Sequence, residues 1–234
     1  MGSAVALLYS GKESPMRNVK GALWFFGVMG LMYCTAVLAW FLPPSPGVRL
    51  GLLAWQQLLF ILGGIFGGGR DHLKPVPLKA AARGLAWGVG LYFLSLLVGA
   101  LVFAAAAHFL GADTARELLA RDRTGVEMLM TSRKPLLAAG TVLLLLVGAP
   151  LGEELFFRGL LVNLLKERLG DGKAVLLAAL LFAALHFYTL QFLPVFLSGA
   201  ALGLLLIRSG SIFVPMAAHF AVNALALGAL LSSL

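Results

Sequence analysis

Glu153 and Glu154 stand side by side, with Arg158 close behind, in the run TVLLLLVGAPLGEELFFRGLLVNLL, where almost every other residue is apolar or glycine. Downstream, His186 and then His219 with Asn223 interrupt equally apolar stretches. A carboxylate, two imidazoles and a carboxamide are groups suited to activating a water molecule and to stabilising the oxyanion formed when that water attacks a carbonyl. An ionisable residue inside a lipid-facing helix costs about 3 kcal/mol or more, so residues kept there mark a functional site.

Spacing groups these residues further. Glu154 and Arg158 are four apart, as are His219 and Asn223, so each pair shares one helix face and the first can form an ion pair. Glu153 is turned about 100° from Glu154 and is left out of that pair. Depth follows from flanking basic residues on a common side: Glu153 precedes Lys166 by 13 residues, His186 follows Lys173 by 13, and His219 follows Arg208 by 11. At about 1.5 Å per residue these are roughly 20, 20 and 16 Å from one membrane face, so three ionisable groups converge at nearly one depth.

The elements that must carry them are transmembrane helices. Of 234 residues, 60% are hydrophobic and only 12% charged, which excludes an ordinary soluble domain. Crossing about 30 Å of hydrocarbon takes roughly 20 helical residues. Seven apolar runs predict an all-α, polytopic membrane helical bundle: Ala22 to Leu42, Leu50 to Gly69, Gly84 to Leu110, Leu136 to about Leu165, Ala174 to Tyr188, Phe192 to Ile207, and Ile212 to Leu231. The fourth exceeds a simple span, so it is expected to tilt, to kink at Pro150 or to leave the bilayer, and breaking it would make an eighth span. The mixed-charge stretch from Asp113 to Lys134 is the one soluble segment of any size. Residues 1–21 read as a tail and 22–234 as one integral membrane domain with no internal repeat.

The net charge of +8 is explained by topology rather than by nucleic acid. With the N-terminus inside, inner segments collect Lys12, Arg17, Lys20, Arg70, Lys74, Lys79, Arg83, Lys166, Arg168, Lys173 and Arg208. Outer segments collect Arg49, Arg116, Arg121, Arg123, Arg133 and Lys134, so eleven against six favours N-in and C-out. The third loop, with five of those six, argues the other way. The start has too short an apolar part for a signal peptide, and Ala6 stands where a myristoylation signal needs Ser or Thr. Cys34, the single cysteine, reads as packing and permits no intrachain disulfide.

Other polar and special residues receive structural readings. His72 and His108 read as packed or interfacial histidines, Pro194 and Pro215 as kinks, and Gly63, Gly64, Gly67, Gly68 and Gly69 as sites of close helix packing.

Three short patterns carry a resemblance. Glu153-Glu154-Leu155-Phe156-Phe157-Arg158 matches EExxxR, Phe182 to His186 matches FxxxH, and His219 to Asn223 matches HxxxN. In this order, on separate spans, they resemble the CPBP intramembrane glutamic endopeptidases, which include the type II CAAX prenyl endopeptidases, the bacterial Abi proteins and the myxosortase branch. The resemblance runs from about Val142 to Leu225, with a family-like catalytic core at about 136–230. It implies an intramembrane peptide hydrolase without a covalent intermediate and without a cofactor. Glu153 with His186 would activate water, His219 and Asn223 would bind the oxyanion, and Glu154, Arg158 and Phe182 would support them. The implied partners are the bilayer and a membrane-associated protein or peptide substrate. A chain this rich in Ala, Leu and Gly reads as a bacterial inner-membrane protein.

Two other readings remain open at this point. Glu and two His are also a familiar ligand set for catalytic zinc with an open position, although no HExxH helix is present. Buried charges also serve proton coupling or binding in a non-enzymatic transporter or immunity-type membrane protein, although no inverted repeat is visible.

Overall fold

The computed structural model describes residues 15–132 and 134–233, the side chains of Pro15 and Arg17 excepted. The readings that rest on Lys12, Ala6, Arg133 and the start of the tail lie outside the described residues. Among the described residues every regular element is helical, as an apolar chain with 60% hydrophobic residues requires when no water is present to satisfy exposed backbone.

Helix α1 (Pro15–Ala39) starts within the predicted tail. In its first turns the Asn18 side-chain amide donates to Glu167. Helix α2 (Pro46–Gly67) begins with Pro at its first position and with Ser45 Oγ accepting from the Val48 N–H at 3.3 Å. It ends at Gly68, whose φ of 117° only glycine tolerates easily, followed by a 3₁₀ turn over Gly69–His72. Close packing holds for the neighbouring glycines: a Cβ on Gly64 would lie 2.6 Å from Leu155 Cβ, and one on Gly69 would lie 2.6 Å from the Leu155 carbonyl. Helix α3 (Leu78–Leu110) is followed by α4 (Ala112–Met130), so the mixed-charge stretch is an amphipathic helix. It buries Ala115, Asp122 and Leu129, spaced two turns apart, against α2, α3 and the helix that follows.

The predicted fourth and fifth spans form one apolar helical run of 50 residues, Pro135–Ala184. It comprises α5 (Pro135–Leu143), a π segment (Leu144–Gly148), α6 (Ala149–Glu153), a second π segment (Glu154–Val162) and α7 (Asn163–Ala184). At about 1.5 Å per residue, 50 residues would extend far beyond one bilayer. The run folds back at Gly170, where φ 75° and ψ 166° break the helix, so α7 packs against the second π segment. Among the described residues six helices are therefore long and apolar enough to cross a membrane, and the fourth contains two of the seven predicted spans as its arms. Within the fourth span, π segments lie on both sides of Pro150.

Helices α8 (Phe192–Ser209) and α9 (Phe213–Leu231) complete the bundle. Pro194 and Pro215 are not interior kinks. Each is the third residue of its helix, in the first turn, where the missing N–H has no intrahelical acceptor to lose. Gly84 and Gly88 let α3 lie against the backbone of α9: a Cβ on Gly88 would be 2.2 Å from the Ala218 carbonyl. The core gathers Phe60, Phe156, Phe157, Leu160, Val175 and Phe182 between α2, the second π segment and α7.

One end of the bundle brings together residues 18–20, 70–74, 163–168 and 208–212. Ile212 N–H donates to the His72 carbonyl at 2.9 Å, Ser211 Oγ donates to the Lys74 carbonyl at 2.6 Å, and the His72 imidazole contacts the Asn163 amide. Burial first, then the charge of Lys166, pushes the His72 imidazole below its ordinary pKa, in keeping with a neutral packed histidine. His108 is exposed, its ring edge-on to Phe109.

Candidate active site

The π segments shape the site locally. Ala149 N–H donates to the Leu144 carbonyl, one residue further back than in an α-helix, which leaves the Leu145 carbonyl to the next residue. That residue is Pro150, which has no N–H. The freed carbonyl is taken by Asn223, whose Nδ2 donates to it at 2.8 Å across from α9. Wide turns of this kind cluster at functional sites because they re-aim side chains without ending a helix. Here the second one begins at the acidic pair.

Glu154 is fully buried and its Oε1 accepts two bonds: from Arg158 Nη1 at 3.0 Å, one turn along, and from His219 Nδ1 at 2.8 Å, on α9. Arg158, 1% exposed, also donates from Nη2 to the Gly199 carbonyl at 3.1 Å, and its guanidinium lies 4.3 Å over the Phe182 ring. Gly199 is required there, since a Cβ would press on Phe182 Cδ1 at 3.1 Å. The cation is thus matched to an anion, a carbonyl and an aromatic face, as a charge in this setting must be.

Glu153 points elsewhere. Its Oε1 accepts from Gln57 Nε2 at 3.2 Å, and its Oε2 lies 3.8 Å from His219 Nε2, an ion-pair separation beyond hydrogen-bond reach. With Nδ1 committed to Glu154, the His219 ring presents Nε2 toward Glu153. The two glutamates are therefore bridged by one imidazole, and it is His219, not His186, that stands between them.

His186 is not part of a helix. Helix α7 ends at Ala184, and His186 sits in the following turn, its backbone N–H on the Ala183 carbonyl at 3.2 Å and its Nδ1 on the Phe182 carbonyl at 2.7 Å. The turn arises because Phe187 adopts a left-handed backbone with φ 55°. Phe182 joins the two histidines: its ring centre is 4.6 Å from that of His186 and 6.3 Å from that of His219. The two histidines thus meet about Phe182, and Glu153 joins them through His219. Among the described residues Glu153 and His186 are not hydrogen bonded to each other.

Two residues that the sequence reading passed over belong to this cluster. Gln57, 2% exposed on α2, is the partner of Glu153, and Gly152 makes room for it, since a Cβ there would meet Gln57 Oε1 at 2.7 Å. A pair of glutamines, Gln56 and Gln57, inside an apolar run, LLAWQQLLF, was the available signal. Tyr188 stacks obliquely on His186, ring centres 5.5 Å apart. Burial, then the charges of Glu153 and Asp122, push its phenol above the ordinary value, so it stays a protonated donor at neutral pH.

The arrangement holds one carboxylate in a fixed ion pair and a second one against an imidazole and a neutral amide. No curated protein and no solved structure matches the chain. Residues 135–225 match the family model described as type II CAAX prenyl endopeptidase Rce1-like. That segment, less than half of the chain, holds both glutamates, Arg158, Phe182, both histidines and Asn223, and is similar to the Rce1-like CAAX-protease family.

Proposed function

We propose that this protein is an intramembrane endopeptidase that hydrolyses a peptide bond of a membrane-associated protein or peptide. The observation that carries the proposal is the pairing of Glu154 with Arg158 and His219, while Glu153 stands apart from that pair, hydrogen bonded to Gln57 and facing the far nitrogen of His219. In this reading Glu153, with His186 across Phe182, takes a proton from water as the water oxygen bonds to the scissile carbonyl carbon. His219 Nε2 and the second N–H of Asn223 Nδ2 donate to the resulting oxyanion; His219 does so when its ring carries both protons. Collapse of the tetrahedral species breaks the C–N bond, and the proton held by Glu153 passes to the leaving amine. Glu154 and Arg158 hold His219, and Phe182 spaces the two imidazoles. The similarity of residues 135–225 to the type II CAAX prenyl endopeptidase Rce1-like family supports peptide hydrolysis in the membrane. The composition supports a bacterial cell membrane as the location.

The test compares membrane proteomes of cells carrying the parent, Glu153→Gln or no protein, scored for peptides with new termini. Glu153→Gln keeps shape and the bond to Gln57 but removes the base, so new termini should disappear while the extracted protein stays folded. Equal processing by Glu153→Gln and the parent would sink the glutamate mechanism. The same comparison on purified protein with a chelator addresses zinc. Activity should survive chelation, and about one zinc per chain, with activity lost on removal and restored on return, would make a metal-activated water the better account.

A further inference from the structure

The turn that carries His186 and Tyr188 is tied to a helix outside the apolar bundle. Three successive backbone N–H groups donate to one carboxylate: Thr189 to Asp122 Oδ1 at 2.9 Å, Leu190 to Oδ2 at 2.9 Å and Gln191 to Oδ2 at 3.0 Å. Asp122 lies on α4, the polar helix, and is 8% exposed between the outward-facing Arg121 and Arg123. Its carboxylate is therefore turned inward, against the drift of its neighbours, to serve backbone 67 to 69 residues away.

The turn it holds needs holding. Phe187 occupies a left-handed backbone with φ 55°, which bulky side chains avoid, and its side chain is 86% exposed. A backbone in that region persists only where its surroundings over-determine it. On one side the turn is fixed by α7 through His186 and Phe182; on the other, among the described residues, Asp122 is the side-chain anchor of residues 189–191. Between the two lie His186 and Tyr188, and Tyr188 feels the charges of both Glu153 and Asp122.

We infer that Asp122 is a positioning residue: by accepting the N–H groups of residues 189–191 it sets the turn that holds His186 against Phe182 and Tyr188 against His186, at the edge of the site. The inference rests on the proteolytic reading for its effect on rate, and on geometry alone for its effect on the turn. It also gives the polar helix α4 a task in the reaction, although α4 lies outside the segment matched to the family.

A nitroxide at an exposed position of the turn reads the clamp directly. The full chain in detergent, with Cys34→Ala and Phe187→Cys carrying the label, is compared with the same chain bearing Asp122→Asn or Asp122→Glu. The asparagine amide would face backbone N–H groups with N–H of its own, so the label should gain a mobile component. In unlabelled chains the rate of new-terminus formation per folded molecule should fall about 10- to 100-fold, as for a catalytic group displaced by an ångström or so. Asp122→Glu, still an acceptor-only carboxylate, should recover immobilisation and rate toward the parent. A carboxylate that merely stabilised the start of α8 would lower thermal stability and leave both readouts unchanged; that result, or a mobile turn with parental cleavage, overturns the inference. If Asp122→Asn does not fold, Gln191→Pro replaces it. Gln191 has φ −86°, near the value proline imposes, and the change deletes one donor to Asp122. If the parent itself produces no new termini, the proteolytic reading falls, and the nitroxide still decides the clamp: motion gained supports it, motion unchanged overturns it.

Discussion

A single atom, Glu154 Oε1, receives both Arg158 and His219, so loss of any one of the three leaves a buried polar partner unmatched. Arg158→Leu strands Glu154 and Glu154→Gln strands Arg158, and breaking a buried pair in this way costs about 3–5 kcal/mol. Both variants should give lower yield and a lower unfolding temperature in detergent, unlike Glu153→Gln. Parental melting of Arg158→Leu would mean that the pair is solvated. Asn223 has two tasks that separate by readout. Asn223→Ala leaves the Leu145 carbonyl without its partner, about 1–3 kcal/mol of stability. If it also holds the oxyanion, turnover per folded molecule should fall about 100- to 1,000-fold with substrate binding kept. The double change with His219→Ala should cost less than the product of the single effects, since both serve one oxygen. Loss of stability with parental turnover would leave Asn223 as the cap of a π turn and nothing more.

At the scale of elements, what aims these side chains is the closeness of helix pairs. The backbone of α9 lies against Gly84 and Gly88 of α3, and His219 is the next residue after Ala218, whose carbonyl faces Gly88. A Cβ at 2.2 Å from that oxygen and 2.7 Å from Ala221 Cβ cannot be accommodated without parting the helices. Gly88→Ala should therefore cost about 1–3 kcal/mol and lower cleavage, since His219 moves with α9. Gly90→Ala, at a position with nothing within 4 Å, is the control and should change neither. Equal melting of the two variants would show that the helices adjust freely. The glycines of α2 act in the same way on the second π segment, and Pro150 fixes where the π turn falls.

For the whole molecule, the basic residues sort by end. Lys20, Arg70, Lys74, Lys166 and Arg208 belong to segments joined at one end, while α4 and residues 189–191 meet at the other. With the N-terminus inside, Gly125→Cys on α4 should react with a membrane-impermeant maleimide on intact cells, and Gly172→Cys only after permeabilisation, both in a Cys34→Ala background. Both positions have open space around them. The reverse labelling pattern would invert the orientation. Sequence alone determined the membrane class, the all-helical bundle and the pairing of Glu154 with Arg158, because these depend on composition and on neighbours four residues apart. It also marked the polar residues of the C-terminal half, since charge among Leu and Phe is conspicuous wherever it occurs. Only tertiary structure decided that the fourth and fifth spans are arms of one helical run turning at Gly170, because a left-handed glycine there and a short loop read alike in sequence. It alone decided that His219 bridges the two glutamates, that Gln57 reaches Glu153 across 96 positions, and that Asp122 holds the turn of His186. These contacts join helices far apart in the chain, and no spacing within a helix encodes which distant face will meet it.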